Sequence, residues 1–285
     1  MKVHDMNDEL MNKVRLFDTS GCELKNGYCV DFIGVADGVL YVYGDRVNLE
    51  KCLGKSNIDT LIFTKVKQNI FKKVVDEYKL SVKQVFLWKS NLIQDLSPLE
   101  SIYNLEYLIA YWNTKVSRLW KMSKNSKLLG VSITAYGKID SLESIEQSTI
   151  KEFEIGGSYT TMKYIKLNDY SILNTLPNLE YLSLPDNQIS TEHVKQLSKL
   201  LNLKGLSLNA NIITTEEFAY LRARLKKVEG DSLGPYWMVR NEAVIVGKRK
   251  PQLTVDENQE RIKKYVREFN KLVEYYEKNE LAEPL

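Results

Sequence analysis

The chain has 285 residues, 44% hydrophobic and 27% charged, with a formal net charge of +3. That balance describes a soluble globular chain with a sizeable core, in one large domain or two ordinary ones. The near-neutral charge excludes a strong pull toward nucleic acid, and no run of about 18 apolar residues exists to form a membrane-spanning helix.

The N-terminal stretch MKVHDMNDELMNKVRLF carries acidic residues and lacks the uninterrupted apolar core of a signal peptide. With three cysteines, an odd number, reduced thiols and a cytoplasmic location are expected. Cys22, Cys29 and Cys52 are separated by six and 22 residues, which fits no standard zinc arrangement, so buried structural thiols are expected and no metal. In CVDFIGVADGVLYVYG, Asp37-Gly38 between two β-rich runs predicts a hairpin. Residues 1–57 read as a β-containing N-terminal cap. Gly54-Lys55-Ser56 matches the end of a phosphate-binding loop, but that motif needs a glycine where Leu49 stands; a turn is the better reading.

From Ile58 a mixed spacing recurs. Its copies are IDTLIFTKV, VKQVFLWKS from Val82, LEYLIAYWN from Leu105, LLGVSITAY from Leu128, IKEFEIGGS from Ile150, MKYIKLNDY from Met162, LEYLSLPDN from Leu179, LKGLSLNAN from Leu203 and a fading LKKVEGD from Leu225. Successive starts lie 22 to 24 residues apart, except that 29 residues separate Ile150 from Leu179 and hold two strand-like copies. That interval reads as one long repeat or two short ones. The pattern resembles the leucine-rich repeat family, with bacterial-type repeats of this length, over residues 58–230. The resemblance implies an α/β solenoid: one parallel strand per repeat on a concave face, with mostly helical returns. It also implies that the Asn of the pattern bonds backbone groups inside the turn. Asn113, Asn187 and Asn211 keep it, whereas Ser90, Tyr136, Ser158 and Tyr170 replace it, so an irregular arc is expected. The segment from Lys67 has a helical period, Pro98 suits a first helical position, and Thr191 and Thr215 are N-cap candidates.

Residues 231–285 read as a C-terminal cap. YWMV, Arg240-Asn241 and EAVIVG predict a hairpin, then come Lys248-Arg249-Lys250 and a long amphipathic helix. Thr254 and Glu257 suit a capping box, and Ile262, Tyr265, Val266, Phe269, Leu272, Val273 and Tyr276 form one apolar face expected to pack on the hairpin and the last repeat.

Chemistry is sparse. His4 and His193 are the only histidines, and His193 reads as a surface residue on a return helix. No catalytic residue, cofactor or metal site is predicted, and the chain reads as no enzyme. The strand period places Val82, Val85, Leu87, Leu105, Leu108 and Ala110 inward, and turns Phe86, Trp88, Tyr107, Ile109, Tyr111 and Trp112 out onto the concave face. A flank of Glu152, Glu154, Tyr164, Tyr181 and Asp186 follows. Large aromatics facing solvent mark a binding surface; the structural alternative is an N-terminal cap folded over them. The expected function is a non-enzymatic protein-binding module using that face. Its sharper form is a cytosolic inhibitor, an immunity protein whose partner is a toxin. No membrane partner is expected, nor nucleic acid. The alternatives that stay open are a nucleic-acid binder using the basic C-terminal hairpin and a housekeeping scaffold.

Overall fold

The computed structural model describes residues 24–25, 28–29, 32–157 and 164–284. Two short paired strands, β1 (Leu24–Lys25) and β2 (Tyr28–Cys29), come first. The main sheet has nine strands: β3 (Phe32–Ala36), β4 (Val39–Tyr43), β5 (Thr60–Thr64), β6 (Gln84–Trp88), β7 (Tyr107–Tyr111), β8 (Gly130–Thr134), β9 (Glu152–Gly156), β10 (Tyr181–Leu184) and β11 (Gly205–Leu208). They stand side by side in chain order. All pairs from β4 to β11 are parallel, and only β3 runs against its neighbour. This is a solenoid that adds one parallel strand per repeat, the architecture that the leucine-rich repeat resemblance implies.

Each strand begins two residues after the start of its sequence copy, because the first leucine of the pattern turns the chain in and the next two, alternating, point into the core. Leu61 and Phe63, Val85 and Leu87, Leu108 and Ala110, and Leu182 and Leu184 all join one continuous buried cluster. Asp37 and Gly38 make the expected hairpin, both with left-handed backbone (φ 49° and 79°), whose twist matches that of the flanking strands. β4 then pairs in parallel with β5, so the sheet gains a parallel strand ahead of the first sequence copy. The long interval is one repeat: Tyr181 pairs directly with Glu152, and Ile165 of the extra copy reaches only Asn187 through an isolated bridge.

Strand exits share a conformation. Lys65, Lys89, Trp112, Ala135 and Asp186 all have φ between 50° and 61°. The turns that follow are closed from inside. Asn113 and Asn187 are fully buried and bond backbone carbonyls of the preceding repeat, whereas Asn211 is exposed and does not play that part. Among the replacements, Ser90 donates to Phe63 O at 3.3 Å and Tyr170 donates its hydroxyl to Asn187 Oδ1 at 2.8 Å. The buried Tyr136 hydroxyl has no partner among the described residues. Ser158 lies outside the described residues.

Three returns are α-helices: α1 (Gln68–Tyr78), α2 (Thr191–Leu197) and α3 (Thr215–Arg224); the others are short 3-10 turns, the one at Ser97–Ser101 opening on Pro98. The N-caps fall one residue earlier than the sequence suggests. Ser190 and Thr214 hold the caps, each in a reciprocal capping box, with His193 and Glu217 respectively. Thr191 and Thr215 bond elsewhere, to Glu217 and to Val246 O.

At the far end, β12 (Tyr236–Val239), β13 (Glu242–Ile245) and β14 (Gln252–Thr254) form an antiparallel sheet whose third strand the sequence does not announce. Helix α4 (Val255–Lys278) packs on α3 and on that sheet through Ile262, Phe269 and Tyr276. The capping box predicted at Thr254 and Glu257 does not form. Asn258 leaves helical geometry (φ −127°, ψ 22°) and its amide donates to Thr254 O instead. The C-terminus of α4 is clasped by Arg224, whose guanidinium donates to Tyr276 O at 3.0 Å and Glu280 O at 2.6 Å and stacks over Tyr220. Charge-assisted bonds to otherwise unpaired helix-end carbonyls are worth more than neutral ones. Arg224→Ala should therefore lower stability by about 2 kcal/mol. Faster amide exchange confined to the last turn of α4 would check it.

Candidate functional site on the open sheet face

Facing away from the main core, the strands present three rows of side chains whose composition changes along the sheet. The middle row reads Tyr41, Ile62, Phe86, Ile109, then Ser132, Glu154, Ser183, Ser207. Four apolar positions give way to four polar ones at the β7–β8 boundary. The row at the strand ends holds Tyr43, Thr64, Trp88, Tyr111 and Thr134, and the first row includes Val39, Tyr107, Glu152 and Tyr181.

The apolar half is a second hydrophobic cluster, separate from the main core. Val39, Tyr41, Ile62, Phe86 and Ile109 form it, with Tyr43, Trp88 and Tyr107 packed against them. Trp88 and Tyr111 lie with ring centroids 4.8 Å apart at 34°, and Phe86 is 5.8 Å from Trp88. Such spacing is that of interacting aromatic pairs. Lysines at the left-handed exit positions edge the cluster. Lys89 Nζ lies 5.6 Å from the Trp88 ring and 5.2 Å from the Trp112 ring, and Lys65 sits over Tyr43 at 5.4 Å.

The polar half is an acidic cleft of about 510 Å³ bordered by Glu152, Glu154, Tyr181, Glu229 and Asp231. Glu154 is held from both sides, its two carboxylate oxygens accepting from Ser132 Oγ at 2.6 Å and Ser183 Oγ at 3.0 Å. Tyr107 joins the two halves: burial, then the negative charges of Glu152 and Glu106, push its phenol above the ordinary value.

The structure sorts the residues singled out from sequence into three groups. Phe86, Trp88, Tyr107, Ile109, Tyr111 and Trp112 come together on the apolar half, but Phe86 is 0% and Ile109 3% exposed, so these two are floor rather than rim. Glu152, Glu154 and Tyr181 line the acidic cleft. Tyr164, 48% exposed, stands off the strands, in a depression it shares with Asp186, Trp237 and Lys250. Tyr41, Tyr43, Lys65 and Lys89 escape the sequence reading. The signal was there: Val39 precedes Thr60 by a near-repeat interval, and VLYVY alternates as the repeat strands do.

Other candidates have structural roles. Cys52 is buried, which pushes its thiol up to about 11, against a smaller opposing effect of Lys55. Cys22 and His4 lie outside the described residues. His193 completes the α2 capping box and stacks on Tyr170 at 4.8 Å. The backbone N–H groups of Gly54 and Lys55 are taken by Glu77 and Tyr78, in a turn before the first repeat strand. Among the described residues no group of three or more His, Cys, Asp or Glu is placed to hold a metal ion, and no helix is long and apolar enough to cross a membrane.

No family model matches the chain, and no curated protein matches it. Among solved structures, it is similar to an internalin (InlF) from Listeria monocytogenes, at 17% identity over 69% of this chain and 67% of that one, with a TM-score of 0.42. The repeat architecture itself is read from the strand register.

Proposed function

We propose that the chain is a non-enzymatic protein-binding module that takes a protein partner on the open face of its sheet. The observation that carries this reading is the division of that face: a cluster of aromatics edged by Lys65 and Lys89, beside an acidic cleft organised around Glu154. Trp and Tyr dominate interface energetics because they bury large areas with few rotatable bonds, while the charged flank gives orientation and discrimination more than affinity. In the sharper form of the proposal, the protein is a cytoplasmic inhibitor, an immunity protein whose partner is a toxin. If so, co-expression with that toxin restores growth; failure to do so removes the pairing.

Partner capture by the wild-type protein, compared with Trp88→Ala, tests the face. The variant should lose roughly 2 kcal/mol of binding, about thirtyfold. Recovery of the same partner at the same affinity by both proteins would remove the face from consideration. A salt titration separates this reading from nucleic-acid binding through Lys248, Arg249 and Lys250. Phosphate-driven binding falls steeply and linearly in log salt, and an aromatic contact does not.

A further inference from the structure

The three-stranded sheet at the far end has two faces of different chemistry. On one, Ala243, Ile245 and Leu253 are buried against Ile262 of α4. On the other, Trp237, Val244 and Gln252 stand side by side in direct register, one from each strand. Trp237 also packs against the main core, which fixes its ring. This row lines a depression of about 400 Å³, and the turns that leave β10 and β11 line the rest of it through Asp186, Asn209 and Asn211, with Tyr164 beside them. The polar groups here are largely uncommitted. Asn113 and Asn187 are buried in the turns they close, but Asn211, at the same repeat position, is exposed. Neither its amide, nor that of Gln252, nor the Trp237 indole N–H has a hydrogen-bond partner among the described residues. Asp186 accepts from Asn209 Nδ2 at 2.7 Å through Oδ1, and Oδ2 stays available.

We propose that this depression binds a neutral pyranose sugar. Amides and a carboxylate both suit neighbouring hydroxyl groups, because a hydroxyl gives one hydrogen bond and accepts others without asking for a counter-charge. The rings of Trp237 and Tyr164 offer flat apolar surface to the C–H face of the sugar. An apolar wall with a few placed polar groups is the common build of small-molecule sites, and the volume falls in their usual range of about 300–1,000 Å³. The charges point the same way. Among the described lining residues Asp186 is the one carboxylate and Lys250 the one ammonium, and Lys250 Nζ lies over the Tyr265 ring at 5.1 Å. A phosphate would call for several cationic donors and a cationic ligand for a surplus of carboxylates, and the lining supplies neither. The site is separate from the open sheet face and stands whatever binds there.

Titration of the full-length protein, followed by the NMR signals of its side-chain amides, tests the site. The probes are the methyl glycosides of glucose, galactose and mannose, the three free hexoses, and inorganic phosphate. At least one sugar should shift the amide signals of Asn211 and Gln252, with a Kd on the order of 1 mM, as expected for so small a polar ligand. Response to the free hexoses alone would assign a free sugar; response to the glycosides as well would assign the end of a glycan, which has no free anomeric hydroxyl. Asn211→Ala and Gln252→Ala should each weaken binding about tenfold, the cost of one or two hydrogen bonds, and both side chains are exposed, so folding is spared. Tyr111→Ala, on the open sheet face, should leave it unchanged. No shift at either amide with any sugar up to about 50 mM, a shift with phosphate alone, or affinity undiminished in either amide variant would each overturn the proposal.

Discussion

Asn113→Ala is expected to lower the unfolding free energy by about 4 kcal/mol, one of the largest single-residue effects in the molecule. The side chain is fully buried and uses all its capacity. Its amide donates to Ser90 O at 2.7 Å and Ile93 O at 2.8 Å, and its oxygen accepts from Lys115 N at 2.8 Å and Val116 N at 3.1 Å. Alanine removes four bonds at once and leaves backbone groups in a place water reaches poorly. Each buried unpaired group costs about 1–3 kcal/mol, and partial relaxation at the more exposed Lys115 keeps the sum near the lower end. The same position one repeat earlier supplies the control. Ser90 makes two longer bonds, both at 3.3 Å, to Phe63 O and Trp88 O, so Ser90→Ala should cost only about 1 kcal/mol. Urea unfolding with an unchanged slope reads both. Equal costs would mean that the turn does not depend on the asparagine.

Leu108→Ala should cost about 2–5 kcal/mol by a different route. Leu108 is fully buried on the inward row, between Val85 and Val131 on the adjacent strands. Strands held in register on both sides cannot close on the space that three missing carbons leave, so the lost contacts and the residual cavity add. Leu184, equally buried but one strand from the β11 edge, is the comparison expected to relax further and to cost less. Thermal unfolding of both variants checks the order.

Much of this architecture is legible because the repeat writes one constraint many times. Leu182 and Leu184 point inward for the same reason as Val85 and Leu87, and a weak copy such as IKEFEIGGS inherits its register from stronger neighbours. Single events are less legible. Asn125 closes a return as firmly as Asn113 closes a turn, donating to Leu99 O and Ile102 O and accepting from Trp120 Nε1 at 2.8 Å, yet it falls outside the repeat pattern and nothing in the sequence marks it. Thr254 and Glu257 have the spacing of a capping box, but Thr254 makes no side-chain cap bond, and the helix is interrupted at Asn258, whose amide donates to Thr254 O. On the open face, strand alternation puts Phe86 and Trp88 on the same side, but it cannot say which is buried. Their difference in exposure arises from position across the rows, which only the assembled sheet defines.

The central claim is that the open face carries binding and the inward face carries folding. Affinity for the captured partner and melting temperature, both measured on Tyr111→Ala, test it most directly. The account predicts a loss of about thirtyfold in affinity. The melting temperature should fall by only a few degrees, since the loss is confined to two aromatic pairs, with Trp88 and Trp112, each worth about 1 kcal/mol. A protein that unfolds with no separable binding defect, or that binds at wild-type affinity, would contradict it.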